Sequence, residues 1–79
     1  MTTAHNSNDL VPGWVYRDSD GDLFYVRDWG AAIWLTFEDA RLAPVWSMGA
    51  EYPCEPIARV GSRLPTSRVR IALRNLEQP

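Results

Sequence analysis

The chain reads as a mainly β domain: a small antiparallel sheet, or a partly open SH3-like barrel, of about five strands with one short helix. Three observations predict it. Apolar and polar residues alternate over residues 14–17 (WVYR), and an aromatic, β-branched run follows over residues 23–27 (LFYVR); period two is the mark of a half-buried strand. An Asp-Gly pair, Asp20-Gly21, stands between the two runs, and tight hairpin turns favour that dipeptide because Gly takes φ > 0 without a clash. A third apolar run, AAIWLTF from Ala31 to Phe37, follows the turn-forming Asp28-Trp29-Gly30, so two hairpins in series make a meander.

The first hairpin invites another reading. In RDSDGDLFYVRD, Asp18, Asp20 and Asp22 stand at every second position, as in a calcium loop. An EF-hand loop needs Gly at its sixth position and an acid at its twelfth. Counted from Asp18, those places hold Leu23 and Trp29. The spacing therefore predicts a turn with solvated carboxylates and no metal site, and Asp18→Asn is expected to matter little.

After the meander, Thr36-Phe37-Glu38-Asp39 fits a capping box, which predicts the short helix over 38–42, stopped by Pro44. Residues 43–56 hold Pro44, Pro53 and Pro56. Proline this dense forbids a central strand and predicts a long loop or irregular edge. Its Trp46, Met48 and Tyr52 either fold back as a lid on the core or form an exposed patch that binds a partner. Residues 57–60 predict a fourth strand. The last segment, SRVRIALRNLEQ, carries two periods at once. Val69, Ile71 and Leu73 alternate with Arg68, Arg70, Ala72 and Arg74, as in a strand, whereas Val69, Ala72, Leu73 and Leu76 share a helical face. With no capping box after Ser67, the strand is preferred. Arg68, Arg70 and Arg74 would then form one basic stripe. The expected domain is 10–76, with tails over 1–9 and 77–79.

Composition narrows the class. A chain of 79 residues holds one domain and buries about 60% of its unfolded surface. Four Trp can supply much of so small a core, since each large aromatic buries roughly 150–250 Å²; Trp14 and Trp34 are expected among the most buried. The single cysteine, Cys54, excludes an internal disulfide and a Cys-rich zinc site and suits a reducing compartment. The N-terminal stretch lacks the order of a signal peptide, and no apolar run approaches the roughly 20 residues of a membrane span. These features predict a cytoplasmic protein without a membrane partner.

All eight basic residues are Arg, which a high-GC coding sequence favours; selection for the forked guanidinium is the other reading. Residues 1–58 carry nine acids and three Arg, a net of −6, and residues 59–79 carry five Arg and one Glu, a net of +4. That polarity either closes within the fold or offers a basic face to a partner. No nucleophile–base pair, zinc spacing or phosphate loop is visible, so neither catalysis nor a cofactor is expected.

At DSDGDLFYVRD followed by AAIWLTFED, the chain resembles small uncharacterised proteins of actinobacteria and their phages, which carry a D-x-D-G-D-aromatic hairpin followed by a strand with a Trp. The resemblance covers about residues 14–40 and ends after Ala43, where the Pro-rich stretch begins. It implies an origin, in line with the missing Lys, and brings no functional residues with it.

The expected function is a non-catalytic protein-interaction module, phage-encoded, acting in the bacterial cytoplasm on a host protein or on a second copy of itself. Its candidate contact residues are Arg68, Arg70, Arg74, Trp46, Met48 and Tyr52. Two alternatives are a nucleic-acid binder using the arginines, disfavoured by a sequence pI near 5.1, and a structural homo-oligomer or minor virion component.

Overall fold

The computed structural model describes residues 3–77. Among them run four strands, β1 (Trp14–Arg17), β2 (Leu23–Asp28), β3 (Ala31–Trp34) and β4 (Glu55–Arg59), and then one α-helix, α1 (Thr66–Glu77). The strands form a single antiparallel sheet in the order β3-β2-β1-β4. β3 and β4 lie at opposite edges, so the sheet is open and does not close into a barrel. The mainly β class holds, with one strand fewer than expected.

The missing fifth strand is α1. The stretch expected to extend over 67–76 is helical because the sheet has two apolar faces and needs two covers. Cross-strand register explains this. Tyr16 pairs with Phe24, and Phe24 with Trp34; Val15 pairs with Tyr25, and Tyr25 with Ile33. Directly paired residues share a face, so the three strands set one apolar row on each side. On the first side Tyr16, Phe24 and Val26 are buried with Ala4, Leu10, Val45 and Cys54. On the second, Val15 and Tyr25 are buried with Leu35 and Val69, and Leu73 packs against them. Val69 and Leu73 share a face in either period, but Ile71 between them is 51% exposed while Val69 is fully buried, as a helix places them and a strand would not. Local periodicity left the segment undecided, and the uncovered face decided it.

The first cover is the N-terminal segment with the Pro-rich loop. Residues 3–9, expected as a tail, are docked instead. Ala4 is fully buried and exchanges both backbone hydrogen bonds with Cys54, at 2.8 Å each. Its small side chain lets the two backbones meet over the core. Leu10 fills the same cluster, and Val11 N–H donates to Tyr16 Oη at 2.9 Å. Met1, Thr2, Gln78 and Pro79 lie outside the described residues, so the outer parts of both expected tails lie there too.

Two further expectations change. Residues 38–42 form no helix, only a turn at Glu38 and Asp39; the stretch is too short before Pro44 to repay helix nucleation. Trp14 and Trp34 are half-buried and pack on the rim of the first core, while Tyr16, Phe24 and Tyr25 are its fully buried aromatics or those of the second. Trp34 lies on edge strand β3 and Trp14 opens β1, and both positions leave part of a large ring facing water.

The Asp-Gly turn is confirmed as the hairpin between β1 and β2. Gly21 has φ +90°, and open space surrounds the position of a Cβ there. Gly21→Val is therefore expected to cost strain without a clash, about 1–3 kcal/mol. A lower urea midpoint at unchanged m-value would show it, and an unchanged midpoint would contradict the left-handed turn. Gly13, at φ +94°, is more tightly held. A Cβ there would stand 3.2 Å from the backbone of Gly61 and Ser62, because Gly13 donates to Val26 and its carbonyl accepts from Val60 and Gly61.

Candidate interaction surface

The six residues singled out in the sequence fall into three environments. Arg68, Arg70 and Arg74 lie on α1, so they form no single stripe. At about 100° per residue, Arg70 and Arg74 flank one side of the buried Val69 line and Arg68 flanks the other. Arg70 Nη1 donates to the Leu35 carbonyl at 2.8 Å, closing the end of β3. Arg70 and Arg74 line a shallow depression of about 260 Å³ with Leu23, Leu35 and Leu73. Arg70 is thus partly committed to the fold, while Arg68 and Arg74 face solvent.

The loop residues divide as well. Met48 and Tyr52 are half-buried against the first core, and the Met48 carbonyl accepts from Trp34 Nε1 at 3.3 Å. They serve as the lid. Trp46 is 68% exposed. It sits in a single 3-10 turn over Val45–Ser47 whose Val45 is buried beneath it. Backbone bonds fix where this turn lies: Ala43 and Ala32 exchange bonds at 2.7 and 2.9 Å, and Val45 N–H donates to the Trp29 carbonyl at 3.3 Å. The segment from Leu42 to Trp46 therefore lies along the β2–β3 turn.

That placement gathers residues the sequence reading assigned elsewhere. Trp29, counted toward the core, is 47% exposed, and Leu42 is 48% exposed. Trp29 occupies the tip of a turn in which Asp28 Oδ1 accepts from Gly30 N–H at 2.9 Å. The sequence carries a signal for it, since Asp28-Trp29-Gly30 is turn-forming and a turn tip seldom buries a Trp. One end of the sheet thus presents Trp29, Leu42 and Trp46 to solvent.

Cys54 has a structural place. It is buried among Ala4, Leu10 and Tyr16, and its Sγ–H points to the Glu51 carbonyl at 3.6 Å. Burial, reinforced by the nearby Asp18 charge, pushes its thiol up to about 11. Burial also raises the hydroxyls of Tyr16 and Tyr52. A thiol held protonated only in the fold makes stability pH-dependent. The contribution is complete below the ordinary thiol range near 8.5, falls as the unfolded chain ionises, and stops falling once pH passes about 11. By about pH 10.5 the loss from Cys54 should be about 2–3 kcal/mol. Urea midpoints at neutral and alkaline pH test this, with Cys54→Ala expected to show the shallower decline. Equal declines in the two proteins would remove Cys54 from the account.

Among the described residues no three His, Cys, Asp or Glu side chains form a group that could hold a metal ion, and no helix is long and apolar enough to cross a membrane. No protein-family model, curated protein or solved structure matches the chain.

Proposed function

We propose that the chain is a non-catalytic protein-interaction module that docks a partner protein through the end of the sheet carrying Trp29, Leu42 and Trp46. The observation that supports it is the exposure of Trp46, 68%, in a domain that buries Tyr16, Phe24 and Tyr25 to 1% or less. A fold able to cover three aromatics so fully leaves two Trp and a Leu at one end in water. Trp is enriched among the residues that carry binding energy when a partner desolvates them. The Arg-only basic set and the hairpin resemblance support an actinobacterial or phage origin, with a bacterial host protein as the partner and the cytoplasm as the setting.

Nucleic acid ranks second, because α1 splits Arg68 from Arg70 and Arg74 and the second of these is bonded to Leu35. Random DNA should bind no tighter than about 10⁻⁴–10⁻⁶ M at physiological salt.

The test compares wild type with Trp46→Ala. Stability should move by no more than about 0.5 kcal/mol. A host protein retained by the wild type under nuclease treatment should bind the variant at least about tenfold more weakly. Sedimentation of the isolated chain separates a second copy from a foreign partner. Equal binding by the variant, or release of all captured material by nuclease, would defeat the proposal.

A further inference from the structure

The structure carries a second site, which shares only Leu42 with the apolar end. Between α1 and the outer end of β2 lies a cavity of about 260 Å³, lined by Arg27, Arg63, Leu42, Leu64, Tyr25 and the first residue of α1, Thr66. In a chain with ten acids and eight Arg, this wall holds two Arg and no carboxylate. The two arginines are brought together by the backbone, since Arg63 N–H donates to the Arg27 carbonyl at 3.1 Å. The loop carrying Arg63 is pinned to the sheet through Tyr25. Its hydroxyl donates to the Gly61 carbonyl at 2.6 Å and accepts from Leu64 N–H at 2.9 Å.

Arg27 supplies the anomaly. Its Nε is buried and has no hydrogen-bond partner among the described residues. A buried donor left unpaired is costly; solvent does not reach Nε itself, so an anion in the cavity would meet the outer nitrogens of the same guanidinium. The start of α1 adds donors of the same sign. The first helical bonds run from Arg68 and Val69 to the Pro65 carbonyl, so the N–H groups of Thr66 and Ser67 precede them. Pro65, at the cap position, has no side-chain oxygen to receive them. A helix N-terminus also carries partial positive charge.

We infer that this cavity binds a phosphate-type oxyanion, a single phosphate group taken free or as the monoester of a small solute. Its oxygens would accept from the Arg27 and Arg63 guanidiniums and from the first N–H groups of α1. The volume suits one such group with a few waters, at about 30 Å³ for each liquid water. Two forked guanidiniums match a tetrahedral oxyanion in charge and shape.

Amide and arginine Nε resonances of the full chain test this. Titration with millimolar inorganic phosphate should shift Thr66 and Ser67 N–H and Arg27 Nε–H saturably, and sodium chloride of equal ionic strength should not. Arg63→Gly is the informative variant. Arg63 has φ +58°, which Gly adopts freely, so the fold should keep its melting temperature while phosphate binds about tenfold more weakly or worse. Glycerol 3-phosphate distinguishes the sources: tighter binding than inorganic phosphate assigns a monoester, and equal or weaker binding assigns the free anion. The inference fails if those resonances stay still, if chloride moves them equally, or if Arg63→Gly binds as wild type does. It also fails if duplex DNA shifts them and neither phosphate compound does.

Discussion

Phe24→Ala is expected to cost about 3–5 kcal/mol, a large share of the roughly 4–12 kcal/mol that about 0.05–0.15 kcal/mol per residue gives a chain of 79 residues. Phe24 is fully buried at the centre of the first face. Its ring stacks on Tyr16 at 5.8 Å and meets Trp34 edge-on at 5.3 Å. The register that pairs it with both residues puts the three rings in one row. Truncation removes the transfer free energy of the ring and leaves a cavity that the paired strands cannot close by sliding, because a shift of one residue would turn every side chain to the other face. The control is Trp46→Ala, which deletes a larger side chain but one already in water. Urea unfolding should show the Phe24 variant with a much lower midpoint, and the Trp46 variant close to wild type. A Phe24→Ala protein as stable as the Trp46 variant would mean that the core is not centred on this row.

What the sequence makes legible follows how local each signal is. The first hairpin needs only alternation and Asp20-Gly21, and its observed turn and register follow from them. β4 was legible in place though not in extent. It begins at Glu55 and runs through Pro56, which an edge strand tolerates because its outward N–H has no partner to lose. The helix was not legible. Residues 66–77 satisfy both periods, and only the second apolar face, built from Val15, Tyr25 and Ile33, favours one of them. The docking of Ala4 was equally hidden, since nothing in MTTAHNSND announces that a small residue will meet Cys54 across fifty positions.

The candidate sites divide in the same way. Trp46 could be named from its Pro-rich, strand-hostile surroundings, and Trp29 was recoverable from its turn. Met48 and Tyr52 lie in the same stretch as Trp46 but became lid residues, because the loop has to cover the Phe24 face before it reaches β4. The Arg68, Arg70 and Arg74 stripe dissolved when its element changed from period two to period 3.6. The Arg27–Arg63 pairing joins residues far apart in sequence through one backbone bond, and no spacing rule reaches it.

Asp18 reverses an expectation most clearly, and its replacement is the second large effect. Its spacing makes it one of three solvated turn acids, yet it is 5% exposed. Its Oδ1 accepts from Asp22 N–H at 3.0 Å and Asp20 N–H at 3.2 Å, and its Oδ2 accepts from Glu51 N–H at 3.3 Å. Beside it Ser19 N–H donates to the Glu51 carbonyl at 2.9 Å and Ser19 Oγ–H to the Pro53 carbonyl at 2.9 Å. The carboxylate therefore ties the β1–β2 turn to the loop that leads into β4, using acceptors alone. An amide has one acceptor and one donor. Asp18→Asn can keep the two turn bonds only by setting its NH₂ against the Glu51 N–H, and is expected to cost about 1–3 kcal/mol. Asp18→Ala leaves all three donors without an acceptor and should cost about 3–4 kcal/mol, less than the full sum because water reaches the turn side. Asp20→Asn, on an exposed residue that accepts none of these bonds, is the neutral comparison. Urea midpoints rank the three variants, and hydrogen exchange at the Glu51 amide reports the lost tie directly. Should Asp18→Asn unfold at the same urea concentration as Asp20→Asn, the carboxylate would be the solvated turn acid that its spacing first implied.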